Sequence, residues 1–256
     1  MWRNIRILFL LLVLLGVALS TWLDQRATQS WKEPLWVGIY PLNGDGTREA
    51  QAYIESLTPK DFTDIETFFE REGHRYGLIV DEPVHIELYP VGRELPPTLD
   101  PKANMLGIAW WSLKVRWFAH QAAHVAGRAP PRVRMFVLFH DPSTLERAPD
   151  SHGLQKGLVG IVHAFAERSM AGSNDIVIAH ELLHTAGASD KYDLATGAPL
   201  FPIGFADRNL KPPYPQEQAE IMAGRRPLSP TEADMPRSLS AEVVGPETAL
   251  EIRWTH

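Results

Sequence analysis

"SNDIVIAHELLHTAGASD", residues 173–190, decides how this chain is read. Its apolar run predicts a helix. Ser173, Asn174 or Asp175 can cap the start, and Gly187 can end it in the left-handed conformation. His180 and His184 are one turn apart on one face, so both imidazoles can reach one ion. Imidazole nitrogen binds zinc at about 2.0–2.1 Å, and two ligands at this spacing meet that geometry without strain. Glu181 sits about 100° further round the helix, beside the ion rather than on it. There it can take a proton from attacking water and return it to a leaving amine.

Two histidines leave a zinc site incomplete. Gly187, three residues after His184, can take positive φ and turn the chain sharply. Asp190, six residues after His184, could then bring its carboxylate back to the ion. Three protein ligands with one open position make a catalytic zinc, whereas a structural zinc is closed by four. Asp193, in "SDKYD", competes for the third place, and Glu217 and Glu220 are more distant competitors. A bare H-E-x-x-H arises by chance in on the order of 1% of chains this long. Two histidines on a solvated helix face would not account for Glu, Gly and Asp as well.

"HELLHTAGASD" matches H-E-x-x-H-x-x-G-x-x-D. In this it resembles the metzincin clan of zinc peptidases, and more closely the snapalysin-type variant, where Asp replaces the third His. The resemblance covers His180 to Asp190. It implies a zincin-like domain and a metalloendopeptidase with Zn²⁺ held by His180, His184 and Asp190. Glu181 would be its general base and Gly187 its turn. It further implies a Met-turn beneath the metal, for which Met222 in "AEIMAG" is the match. An antiparallel edge strand should pair with extended substrate, and "GIVHAFAE" stands where that strand would be.

Outward from this helix, strands are expected at residues 35–42, 84–90, 132–141 and 157–167. Each is rich in β-branched and aromatic residues. Helices are expected at residues 48–57 and 59–77, where Phe62, Ile65, Phe68 and Phe69 recur at helical spacing, and at 104–127. Residues 188–217 are rich in Pro, Gly and Asp, and a last short helix falls near residues 246–254. The order predicts an α+β (or α/β) domain over residues 30–256. A mixed sheet would carry the site-bearing helix and be followed by a loop-rich C-terminal part.

Arg3 and Arg6 precede an apolar run from residue 7 to residue 19, extendable to Leu23. Residues 1–24 therefore read as a signal peptide or an N-terminal membrane anchor. Either places the domain outside the cytoplasm, periplasmic or anchored in the inner membrane. The chain has no cysteine, so no disulfide or thiolate ligand is available. A net charge of −6 argues against nucleic acid as a partner. Peptide or protein is the expected substrate. A zinc amidohydrolase acting on cell-wall or other non-protein amides, and a non-catalytic zinc-bearing binding protein, are the alternatives; the intact Glu181 speaks against the second.

Other residues have plainer readings. Tyr192 could donate to an oxyanion or simply pack, and Tyr214 likewise. His120 and His124 form a second i, i+4 pair with no acid between them. His163 could point into the cleft or away, and His140 falls at a strand end. Trp110, Trp111 and Trp117 read as packing, and Met105, Met135 and Met170 as core or loop.

Overall fold

The computed structural model describes Arg6 and residues 29–255, apart from residues 93, 101, 123–128, 146, 156 and 157. The expected signal or anchor at residues 1–24 lies outside these, Arg6 excepted. Among the described residues no helix is long and apolar enough to cross a membrane.

Five strands form one mixed sheet: β1 (Leu35–Asn43), β2 (Val84–Leu88), β3 (Val133–His140), β4 (His152–Leu154) and β5 (Val159–Phe165). Their order is β2-β1-β3-β5-β4. The first four run parallel, and β4 pairs with β5 antiparallel. Helices α1 (Arg48–Glu55), α2 (Thr63–Arg75), α3 (Met105–Ala122), α4 (Ala171–Ala186) and α5 (Pro246–Glu251) complete the framework. The expected strands and helices form within the described residues, while residues 123–127 of the expected 104–127 helix lie outside them.

Alternation along the strands divides the core in two. Val37, Ile39, Met135, Val137, Phe139 and Val162 meet the aromatic face of α2, together with Ile176, Leu182 and Leu183 of α4. Tyr40, Leu42, Phe136, Leu138 and Ile161 point the other way, onto Trp111, Val115 and Ala119 of α3. Successive side chains of a strand face opposite ways, so a sheet covered on both faces needs apolar residues at every position. That is why these strands read as continuous apolar runs.

Three expectations need correction. The helix α4 begins at Ala171, with Met170 before it and no side chain capping it. Asn174 lies inside the helix. Its side chain accepts from the Phe165 N–H and donates to the Phe165 carbonyl, tying α4 to the end of β5. Secondly, β5 is interior, lying between β3 and β4. The antiparallel edge strand is β4, which sequence reading passed over because three residues show no periodicity. Thirdly, Trp110 and Trp117 are not part of the core: only Trp111 of the three is buried.

Candidate metal centre

α4 crosses the sheet beside β5 and presents His180, Glu181 and His184 to a cleft of about 900 Å³. One ligand atom from each of the three lies within 4.8 Å of the others, so this group could hold a metal ion. Gly187 follows in the left-handed conformation, φ 109°, as the sharp turn requires. Its N–H and that of Ala188 close the helix on the His184 and Leu183 carbonyls.

The turn is held by side chains that sequence reading missed. Lys191 is buried, and its ammonium donates to the Ser189 carbonyl, Ser189 Oγ and Glu251 Oε2. The Ser189 N–H and hydroxyl donate to Glu251 as well. The Lys191 N–H donates to the Met222 carbonyl. Asp190 is therefore fixed between two clamped neighbours. A lysine and a glutamate sixty residues apart leave no local pattern that would reveal such a pairing.

Asp190 Oδ1 stands 3.2 Å from His180 Nε2 and 3.2 Å from His184 Nε2. The opposite ring nitrogens are committed. His180 Nδ1 lies 2.9 Å from the Ile221 carbonyl, and His184 Nδ1 lies 2.8 Å from the Ala188 carbonyl. A carbonyl only accepts, so both Nδ1 atoms carry hydrogen. In the neutral rings both Nε2 lone pairs then face a carboxylate oxygen that is buried without a hydrogen-bond partner. Three electron pairs meeting in this way require a positive charge among them.

The electrostatics agree. Burial would pull the His180 imidazole down, but Asp190, Glu181 and the Ile221 carbonyl outweigh it and push it up to about 9. Burial would raise Asp190, but the two imidazoles hold it well below the usual carboxylate range. Glu181 is buried, and burial raises its carboxyl against the opposing pull of His180 and His184. Its Oε2 has no hydrogen-bond partner. Oε2 looks onto Gly153 of β4. A Cβ at that glycine would stand 3.0 Å from it, 2.6 Å from His184 Cβ and 2.5 Å from the Glu181 carbonyl oxygen. Gly153 thus lets the edge strand lie directly against the ligand helix.

The remaining sequence expectations sort by position. Tyr192 lines the cleft. Burial, with Asp190 and Glu181 nearby, pushes its phenol up to about 12, so it stays a donor. Asp193 is exposed, and its carboxylate accepts from the Ala195 and Thr196 N–H groups and the Thr196 hydroxyl. It closes its own turn and is not brought to the imidazoles. Glu217 is exposed. Glu220 is buried and accepts from Thr248 Oγ1 and the Gly245 N–H. Met222 is fully buried, one residue from the carbonyl that fixes His180. Tyr214 packs on Phe205. His163 faces the cleft, and its Nδ1 lies 2.8 Å from Nε2 of His140. His124 falls outside the described residues. No known family model matches the chain, and no curated protein matches it.

Beneath the site lies a second acidic feature. Residues 219–220 pair with residues 242–243, and Glu220 and Glu242 are both fully buried. Neither Glu242 carboxyl oxygen has a hydrogen-bond partner. Burial, then Glu220, pushes Glu242 from its ordinary 4.5 up to about 8. Between these values the folded chain keeps a proton that the unfolded chain has released. Stability should therefore be complete below about 4.5 and fall as pH rises towards about 8. Glu242→Gln keeps the neutral shape and is expected to remove this loss. Melting curves should show the variant's advantage growing with pH across that window, at about 2–4 °C per kcal/mol. An advantage that is flat with pH would contradict the assignment.

Proposed function

We propose that this chain is a zinc metallopeptidase of the metzincin-like type with an aspartate as third ligand, acting outside the cytoplasm. The observation that carries this reading is the meeting of His180 Nε2, His184 Nε2 and Asp190 Oδ1, with both Nδ1 atoms already committed. Two imidazole nitrogens and one carboxylate oxygen form a donor set that suits zinc and leaves a position open. The orphaned Asp190 oxygen fits such a cation. Glu181 is assigned beside the metal rather than on it. Asp190 reaches both imidazoles at 3.2 Å, and Glu181 lies round the helix from them.

When bound, the zinc supplies Lewis acidity, polarising a carbonyl and lowering the pKa of a water. The protein residues do the rest. Glu181 Oε2 accepts the proton of the attacking water and delivers it to the departing amine. The Tyr192 hydroxyl, still protonated at neutral pH, donates to the carbonyl oxygen as charge develops on it. The edge strand β4 offers backbone groups to an extended peptide beside Glu181. Met222, buried under the Ile221 carbonyl that orients His180, supports the Met-turn reading.

The purified chain is expected to hold about one zinc and to cleave members of a peptide library. A chelator should abolish cleavage, and added zinc should restore it. No transition metal after zinc incubation at neutral pH would refute the metal reading. Bound zinc with no cleavage of any peptide would refute the peptidase.

A further inference from the structure

The helix α3 carries two apolar stripes on opposite sides. Trp111, Val115 and Ala119 form the inner one and are buried against the sheet. Leu106, Trp110, Leu113 and Trp117 follow at i, i+4, i+7 and i+11, within a sector of about 60° at 100° per residue. They are 80%, 63%, 55% and 65% exposed. Met105, at the start of the helix, is also exposed. Four large apolar side chains exposed in one row on a helix face form the kind of patch that marks an interaction surface.

We propose that this outer stripe of α3 docks on an anionic lipid surface, laying the helix in the plane of the bilayer interface beside the cleft. Charge is the first argument for lipid. α3 itself carries Lys114 and Arg116 and no aspartate or glutamate, in a chain whose net charge is −6. Lys114 stands exposed beside the stripe residues. Basic charge bordering exposed Trp and Leu on one helix is the composition of an interfacial helix, and indole rings favour the headgroup level.

A second copy fits less well. A two-fold contact sets the same patch against itself, and α3 offers Lys114 no acid across such an axis.

Position is the second argument. Gln29, where the continuous described chain starts, donates to the Ala186 carbonyl. A Cβ on Gly187 would lie 2.7 Å from the side-chain nitrogens of both Gln29 and Gln155. Gln155 directly follows β4, and His152 of β4 meets Trp111 of α3 with ring centroids 5.9 Å apart. β4, its neighbour Gln155 and α3 therefore lie together at one edge of the sheet, next to the turn at Gly187. Trp111 on the inner side of α3 lines the cleft, so a bilayer met by the outer stripe lies beside it. The docking claim stands independently of the metal reading.

The absence of cysteine allows single labelling sites. The full chain would be made as Leu113→Cys, and as Ile79→Cys on an exposed turn elsewhere, each bearing an environment-sensitive fluorophore. Vesicles would contain acyl-chain-brominated lipid, either pure phosphatidylcholine or with phosphatidylglycerol. The residue-113 label should be quenched by bromine in phosphatidylglycerol vesicles, and the residue-79 label should not. Adding Lys114→Gln should weaken the residue-113 insertion by about fivefold at low salt, the worth of one basic charge at an anionic surface. Equal exposure of both labels to an aqueous quencher would overturn the proposal. So would a residue-113 label shielded from water but untouched by brominated chains, because protein would then cover the stripe.

Discussion

Glu181→Gln is expected to lower peptide turnover by roughly 10²–10⁴-fold while leaving metal content unchanged. The substitution keeps the size of the side chain and its reach towards Gly153, so β4 need not move. It removes the one group at this position that can take a proton. Burial strengthens that group as a base by raising its carboxyl above the ordinary value. Oε2 has no hydrogen-bond partner, so nothing else has a claim on its lone pairs. Zinc content is the second reading. His180, Glu181 and His184 stand close enough together for Glu181 itself to reach an ion. If Glu181 were the third ligand, the variant would lose zinc along with activity. Retained zinc with lost turnover assigns the base, and full activity in the variant would end the proposed mechanism.

Much of this architecture was legible before the fold was known, for reasons that differ by element. The strands at Leu35–Asn43 and Val133–His140 are covered on both faces, and that requirement writes an uninterrupted apolar run into the sequence. The turn at Gly187 was legible because only a residue tolerant of positive φ can end α4 there. The edge strand β4 was not legible. It is three residues long, and what holds it in place is a glycine fitting against the Glu181 carbonyl, which is a matter of tertiary distance. The start of α4 was misread because Asn174 looked like a cap. Its amide instead serves the end of β5, a demand made by the sheet and invisible in the helix pattern. The outer stripe of α3 misled in a similar way. Tryptophans at helical spacing read as core, and only the position of the sheet shows that Trp110 and Trp117 point away from it.

The carboxylate after the turn gives the other large effect. Asp190→Ala is expected to release zinc and abolish turnover, whereas Asp193→Ala should change neither. The two aspartates are three residues apart, and composition alone does not separate them. Their surroundings do. Asp190 Oδ1 is the buried oxygen at 3.2 Å from both Nε2 atoms, and its neighbours Ser189 and Lys191 are pinned to Glu251 and to the Met222 carbonyl. Asp193 spends its carboxylate on its own turn. Loss of an outer partner of a metal ligand already lowers metal affinity by about 10–100-fold, so removing a direct ligand should exceed about 100-fold. Lys191→Met should fall between the two aspartates, because it loosens the turn that holds Asp190 without deleting a donor atom. The measurement is zinc retained against a competing chelator, read beside turnover for each variant. Zinc lost from Asp193→Ala and kept by Asp190→Ala would reverse the assignment and move the third ligand three residues along the chain.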